Sequence, residues 1–204
     1  MSDACCHVPP PPPPRNDVSY RRVLWIALFA NAAMFGIELV ASVFSGSTAL
    51  AADAADFLGD SANYALSLGA LAIGGAWLSR VALLKGMAMS AYGVGVLAYA
   101  GWRAWLGVPP EPLTMGVVGL LALSVNFGVA VLLYRFREGD ANMRSVWLCT
   151  RNDVIANILV LIAAAGVFST GTVWPDVGVA AILAFLGLSS GRIVIRQARA
   201  ELRA

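Results

Sequence analysis

Three aspartates, Asp53, Asp56 and Asp60, lie within eight consecutive residues of a segment that is otherwise strongly apolar. A charged side chain in mid-membrane costs ~2.5–3.5 kcal/mol on insertion scales, so such residues usually face the bundle interior and mark an ion path. Asp56 and Asp60 are four residues apart and therefore share one helix face to within about 40°. Asp53 follows much the same stripe, nearer the outside, where we expect it to line an outer vestibule. The segment predicts a helix that presents carboxylates to a cation.

A second segment, late in the chain, repeats this four-residue spacing. Cys149 and Asp153 are four residues apart, and Asn157 continues the stripe by one more turn. Arg151 points about 160° away from both, as a counter-ion or a group that reaches toward the headgroups. Carboxylate oxygens and a thiolate at ~2.0–2.3 Å suit tetrahedral Zn²⁺, and the soft sulfur also favours Cd²⁺. The predicted metal ligands are Asp56, Asp60, Cys149 and Asp153, with Asp53, Glu38 and Asn157 as accessory residues.

Structural roles are the alternative for each of these side chains. The carboxylates could pair with Arg151 or accept hydrogen bonds that fix helix packing, and a buried cysteine such as Cys149 is commonly a small apolar filler. Glu38 could serve as an interhelical hydrogen-bonding group. Asp176, near the outer end of the last apolar segment, could lie in the headgroup region.

The composition identifies the environment of these residues. The chain has 204 residues, of which 59% are hydrophobic and 13% charged, whereas soluble domains carry about 25% charged residues. The net charge of +2 and the lack of a basic run argue against a nucleic-acid partner. Three cysteines without framework spacing argue against structural disulfides. The composition predicts an all-α integral membrane protein in contact with the lipid bilayer.

Six apolar segments are long enough to cross a ~30 Å hydrocarbon core as helices. Their breaks contain Gly, Pro or charged residues: 45–47, Arg80 to Lys85, 107–112, 135–144 and 169–175. The predicted spans are residues 20–45, 48–77, 82–105, 113–135, 142–168 and 174–195.

Basic residues indicate how these spans are oriented. In a six-span arrangement twelve of the fourteen basic residues fall on one side, and Arg103 lies at the opposite face. The positive-inside bias therefore places both termini in the cytoplasm, in a cell (inner) membrane protein. The twelve residues are Arg15, Arg21, Arg22, Arg80, Lys85, Arg135, Arg137, Arg144, Arg192, Arg196, Arg199 and Arg203.

The first 18 residues differ from the rest of the chain. Pro9 to Pro14 form a run that favours an extended polyproline conformation, so residues 1–18 are predicted to be a disordered cytoplasmic tail, and 19–204 the six-helix transport domain. Cys5, Cys6 and His7 are soft donors beyond this spacer. One hypothesis is that they capture cytosolic metal and pass it inward; the alternative is an incidental set of thiols.

The run "SGSTALAADAADFLGDSANYALSL", preceded by "NAAMFGIELV", resembles the cation diffusion facilitator family of divalent-metal efflux transporters. Members typically have S-G-S-x-A-L-x-A-D-A, then a His or Asp, three residues and an Asp. The motif places Asp56 and Asp60 at the family's metal-binding pair, with Asp53 at the preceding aspartate. Glu38 matches an acidic position in the family's first helix.

The fifth predicted helix matches the same family less closely. Members carry His-x-x-x-Asp there, and "CTRND" places Cys149 at the His position and Asp153 at the Asp. The natural proton switch of the family is therefore replaced by a thiol. The chain ends at Ala204, so the resemblance is to a form without the family's cytoplasmic C-terminal domain.

The resemblance implies a six-helix homodimer that exports cytosolic metal in exchange for protons. It implies a transporter rather than an enzyme, without a cofactor, whose substrates are Zn²⁺ and also Cd²⁺ or Co²⁺. Carboxylates and thiols bind metal only when deprotonated, so protons and metal compete for one site. Helix rocking around the site would supply alternating access.

Two other functions remain as alternatives. The lost histidine and the end of the chain at Ala204 are compatible with a non-transporting membrane subunit that partners a full-length relative. Intramembrane aspartyl proteases also place aspartates on separate helices. Their pattern resembles G-x-G-D, whereas this chain has "FLGD" and no second motif of that kind.

Overall fold

The computed structural model describes residues 18–72, 76–137 and 141–202, which form six α-helices and no strand. This architecture confirms the predicted all-α fold. The hypothesis about Cys5, Cys6 and His7 lies outside the described residues. The helices are α1 (Val18–Ser45), α2 (Thr48–Ala72), α3 (Ala76–Leu106), α4 (Pro112–Tyr134), α5 (Ala141–Thr170) and α6 (Trp174–Glu201).

Within these residues, five helices contain segments that are long and apolar enough to cross a membrane. Helix α2 has 25 residues but is not among the five, and its three aspartates lower its hydropathy. It packs against α1, α3, α5 and α6. Neighbouring helices therefore shield the carboxylates of α2 from lipid, as expected for charged residues in a membrane bundle.

The helix ends agree with the predicted breaks except between α2 and α3. Helix α3 begins at Ala76, so Arg80 and Lys85 lie on this helix and the predicted break between them is wrong. Helix α6 also continues six residues beyond the predicted end, to Glu201. Hydropathy marks only the part of a helix that crosses the apolar layer. A helix can continue beyond that layer where long basic side chains reach the aqueous phase, so its ends are not visible in the hydropathy.

Four helices form a ring and two form a pair beside it. The ring is α1–α2–α5–α4, each helix contacting the next, and α4 contacts α1. The α3–α6 pair packs against this ring, with both of its helices touching α2. Helices α3 and α6 approach closely at glycines, since a Cβ on Gly191 would lie 3.1 Å from the Gly86 carbonyl oxygen. The ring positions the candidate site.

Two apolar clusters occupy opposite ends of the bundle, with polar residues between them. We name the end with the α1–α2, α3–α4 and α5–α6 connections the outer end, following the charge-based orientation. The outer cluster includes Leu50, Val96, Met115, Val167 and Leu183. The inner cluster includes Tyr20, Leu24, Tyr64, Leu133 and Phe136. Buried polar side chains from all four ring helices, Glu38, Asp53, Asn126 and Asn157 among them, lie between these two clusters.

Candidate metal centre

Helices α2 and α5 contact each other through the faces that carry the predicted ligands. The Asp60 carboxyl lies within hydrogen-bond range of Asp153. About one turn toward the inner end, the Tyr64 hydroxyl and Thr150 Oγ1 are 2.7 Å apart. Because α2 runs inward and α5 runs outward, these pairs set the two helices in antiparallel register.

The other two predicted ligands lie in the same region. Cys149, Asp60 and Asp153 all lie close enough to the Tyr64 hydroxyl to act on it electrostatically. Asp56 is one turn outward from Asp60, between Asp60 and Asp53. Asp60 is buried, whereas Asp56, Cys149 and Asp153 are partly exposed. Carboxylates from both helices and a thiol thus surround one part of the ring.

These side chains do not form a closed coordination shell. Within the described parts of the chain, no three His, Cys, Asp or Glu side chains converge closely enough to hold a metal ion. The four-ligand set of Asp56, Asp60, Cys149 and Asp153 stays a prediction, and their side chains would have to move together around a cation.

A lysine next to these carboxylates was not predicted as part of the site. Lys85, on α3, is buried; its Nζ donates to Asn63 Oδ1 and its charge acts on Asp60. In sequence, Lys85 indicates only the orientation of the spans. Lys85 resembles a loop residue in sequence, whereas in the structure it lies on α3 at the same level as Asp60.

The accessory residues belong to a buried polar network on the outer side of Asp60. Asn157 Nδ2 donates to both Asp53 oxygens, at 2.8 Å each, and Asn126 Nδ2 donates to Asn157 Oδ1 at 3.0 Å. Glu38 faces Asp53. Asp53 is completely buried, so the predicted outer vestibule at this residue is wrong. Asn126 was missed, since a lone asparagine in an apolar helix carries no spacing signal.

Asp176 is completely buried and caps the N-terminus of α2. One carboxylate oxygen accepts from Ser47 Oγ at 2.6 Å and Ala49 N at 3.0 Å. The other accepts from Thr48 N and Thr48 Oγ1, both at 2.7 Å. The carboxylate thus satisfies backbone donors that the first turn of a helix leaves unpaired. The S-T pair of the "SGST" motif binds Asp176.

Arg151 is exposed and lies on the other side of α5 from the site carboxylates. Its guanidinium carbon lies 5.5 Å from the Trp147 ring centroid, and its Nη2 is 3.5 Å from Asn152 Oδ1. The alternative in which Arg151 neutralises the aspartates of the site is therefore wrong.

A second acidic cap lies outside the membrane-spanning segments. Glu111 is exposed and accepts hydrogen bonds from Thr114 N at 2.5 Å and Leu113 N at 2.9 Å. Hydrogen bonds from Thr114, with a smaller contribution from Leu113, hold the pKa of Glu111 below its ordinary value. Glu111 thereby begins α4.

Comparison with known proteins identifies relatives of this chain. Residues 24–202 match the family model of the cation efflux transmembrane domain. The metal cation efflux system protein CzcD of Cupriavidus metallidurans is 27% identical over 176 residues, covering 79% of this chain and 55% of that protein. The cadmium, cobalt and zinc/H(+)-K(+) antiporter of Bacillus velezensis is 25% identical over 189 residues, covering 85% and 60%.

The chain thus spans little more than half the length of these two relatives. The family match covers most of the chain, including all six described helices in whole or in part. It confirms the resemblance seen in the motifs of the second and fifth helices. The chain belongs to the cation efflux family, the cation diffusion facilitators, which are multi-pass membrane transporters of metal ions.

Proposed function

We propose that this chain exports Zn²⁺, with Cd²⁺ and Co²⁺ as further substrates, in exchange for protons at the α2/α5 centre. The contact between Asp60 and Asp153 carries this proposal, because it brings two antiparallel four-residue ligand pairs to one level. The names of the relatives support it, since one is a cation efflux system protein and another an antiporter of cadmium, cobalt and zinc. Asp56, Asp60, Cys149 and Asp153 are the proposed ligands.

The charges near the centre support a divalent substrate. Asp56, Asp60 and Asp153 carry three negative charges when ionised, and Lys85 adds one positive charge. With the Cys149 thiol protonated, the sum is −2, which one divalent cation neutralises. Neutralisation matters here because an uncompensated charge is costly to hold away from water.

Proton exchange follows from the chemistry of the same ligands. Carboxylates bind metal in their deprotonated form, so loading a cation from the cytoplasm releases protons and protons arriving from outside displace it. Apolar clusters lie on both sides of the centre along the bundle, while Asp56, Cys149 and Asp153 are partly exposed. Rocking of helices around the centre would open one side at a time.

The orientation and assembly belong to the same proposal. Both termini face the cytoplasm of a cell inner membrane, because the predicted positive-inside bias requires it. The family resemblance supports a homodimer. Large apolar side chains such as Phe44, Phe168 and Trp105 are exposed and face lipid or a second copy.

The test is metal flux into proteoliposomes that contain a pH-sensitive dye. We expect wild-type protein to move Zn²⁺ and Cd²⁺ with opposing proton flow, and Asp60→Ala and Asp153→Ala to lose at least about 100-fold in rate while eluting as folded protein in detergent. Arg151→Ala is the matched control on the exposed side of α5 and should transport normally. Active Asp60→Ala/Asp153→Ala protein would refute the site, and inactive wild type would favour the non-transporting subunit.

A further inference from the structure

One polar side chain from each helix of the ring enters a single buried network. The four are Glu38 of α1, Asp53 of α2, Asn126 of α4 and Asn157 of α5, and none is more than 2% exposed. Asn157 joins Asp53 to Asn126 by hydrogen bonds, and Glu38 faces Asp53. The network lies between Asp60 and the outer apolar cluster, away from the contact between Asp60 and Asp153.

Several oxygens of this network have no hydrogen-bond donor among the described residues. They are both carboxyl oxygens of Glu38 and Oδ1 of Asn126. The neighbour of Glu38 is the Asp53 carboxyl, which is itself an acceptor. Unpaired buried acceptors and facing buried carboxylates are unfavourable unless a proton or a metal cation joins them. The network therefore has the composition of a cation site made of oxygen atoms.

We propose that Glu38, Asp53 and Asn126 Oδ1 form a second binding position for the transported divalent cation, on the outer side of the α2/α5 centre. This inference rests on the proposed transport function. The two carboxylates supply a charge of −2, and Asn157 fixes Asp53 by donating to both of its oxygens. With oxygen ligands alone, the position favours hard cations and holds soft ones less tightly than a centre with a thiol does.

Asp56 connects the two positions. Its carboxyl interacts electrostatically with Asp53, Asp60 and Glu38. Asp56 thus offers a cation that leaves Asp60 and Asp153 a further carboxylate on the way to the second position. Sites in series with modest affinity at the exit allow an ion to leave as well as enter.

The test measures Mn²⁺, a cation that prefers oxygen ligands, by electron paramagnetic resonance on the full chain in detergent. Wild type should bind two Mn²⁺ per chain, and Asp60→Asn/Asp153→Asn should retain one. Adding Glu38→Gln to this double variant should weaken the retained binding about tenfold or more. Glu111→Gln in the same background is the control, because Glu111 is exposed and lies in a loop.

Asp53→Asn keeps the size of its side chain and should weaken the retained binding as well, so the test does not depend on Glu38→Gln folding. The double variant binding no Mn²⁺, or binding it equally well with Glu38→Gln or Asp53→Asn, would overturn the second position. Such a result would mean that protons satisfy the network. Failure of the proposed function is a separate result, because it would appear as absent metal flux in wild type.

Discussion

Buried carboxylates lie at two places along α2: Asp176 of α6 at its N-terminal end, and the aspartates of α2 itself in its middle. The two regions differ in the hydrogen-bond donors that their carboxylate oxygens receive. At the end, Asp176 reaches across from α6 and accepts four hydrogen bonds from Ser47, Thr48 and Ala49. In the middle, Asp60 faces Asp153, and Asp60 Oδ2 has no donor among the described residues. Burial alone therefore does not mark a functional carboxylate, because a buried carboxylate such as Asp176 can serve as a helix cap.

The two regions also differ in how much a bound cation could stabilise their charges. The charge of Asp176 is already stabilised by donors and by the helix dipole of α2, so a cation has little to gain there. In the middle of α2, Asp53, Asp56 and Asp60 lie next to one another with only the charge of Lys85 to offset theirs among the described residues, so a cation has more to gain there. Removing the charge should therefore cost more stability at Asp176 than at Asp60.

The largest expected effect is on stability, in Asp176→Asn. The substitution removes the charge and leaves one acceptor oxygen for four donors, so we expect a loss of about 2–4 kcal/mol in unfolding free energy. Asp60→Asn should cost less, because Asp60 Oδ2 has no donor among the described residues and Lys85 keeps Asn63 as a partner when the Asp60 charge is removed. Thermal unfolding of both variants in the same detergent measures the contrast. If Asp176→Asn kept wild-type stability but lost metal flux, Asp176 would belong to the transport path and would not be a structural cap.

The helices could be predicted because hydropathy and breaks such as "GVPPEP" are local properties of the chain. The start of α3 could not be predicted, because Arg80 and Lys85 resemble loop residues in sequence although both lie on this helix. Lys85 can be buried because its Nζ donates a hydrogen bond to Asn63 Oδ1 and its positive charge interacts with Asp60, both on α2. That compensation depends on which helices pack together, which spacing along one helix does not specify.

The same limit applies to the site. Four-residue spacing identified the ligand faces of α2 and α5, since it depends only on helix geometry. The roles of Asp176 and Asn126 depend on contacts with Thr48 and Asn157, which are more than 30 residues away in the chain. Asp176 and Asp60 are chemically identical in sequence, and only their hydrogen-bond partners distinguish a cap from a candidate ligand.

A smaller effect is expected from Cys149→His, which tests whether the thiol belongs to the middle region as a ligand. Histidine is a good Zn²⁺ ligand, whereas a thiolate favours the softer Cd²⁺. The variant should keep Zn²⁺ flux and lower the ratio of Cd²⁺ to Zn²⁺ transport by about tenfold. Parallel flux assays with the two metals measure this ratio, with Cys149→Ser as a control that removes the sulfur. Equal loss for both metals in the two variants would show that Cys149 is not a ligand.

The smallest effect concerns Glu111, the exposed counterpart of the Asp176 cap. Its pKa is lowered in the folded protein by hydrogen bonds from Thr114, so its charged form stabilises the start of α4. This contribution is complete above the ordinary glutamate value of about 4.5 and is lost as pH falls through the lower folded value. Glu111→Gln should therefore lower the thermal midpoint by about 2 °C or less at pH 7, and the difference should shrink below about pH 4.5.

Thermal scans of wild type and Glu111→Gln between pH 7 and pH 3 measure this difference, with Glu111→Asp retaining the charge as the control. A gap between wild type and Glu111→Gln that stays constant down to pH 3 would mean that the side chain acts through shape rather than charge. Water competes for the donors of an exposed cap and should keep its contribution to stability small. A loss of stability as large as that of Asp176→Asn would contradict this expectation. The contrast between the two caps thus tests whether burial is what makes the Asp176 carboxylate costly to replace.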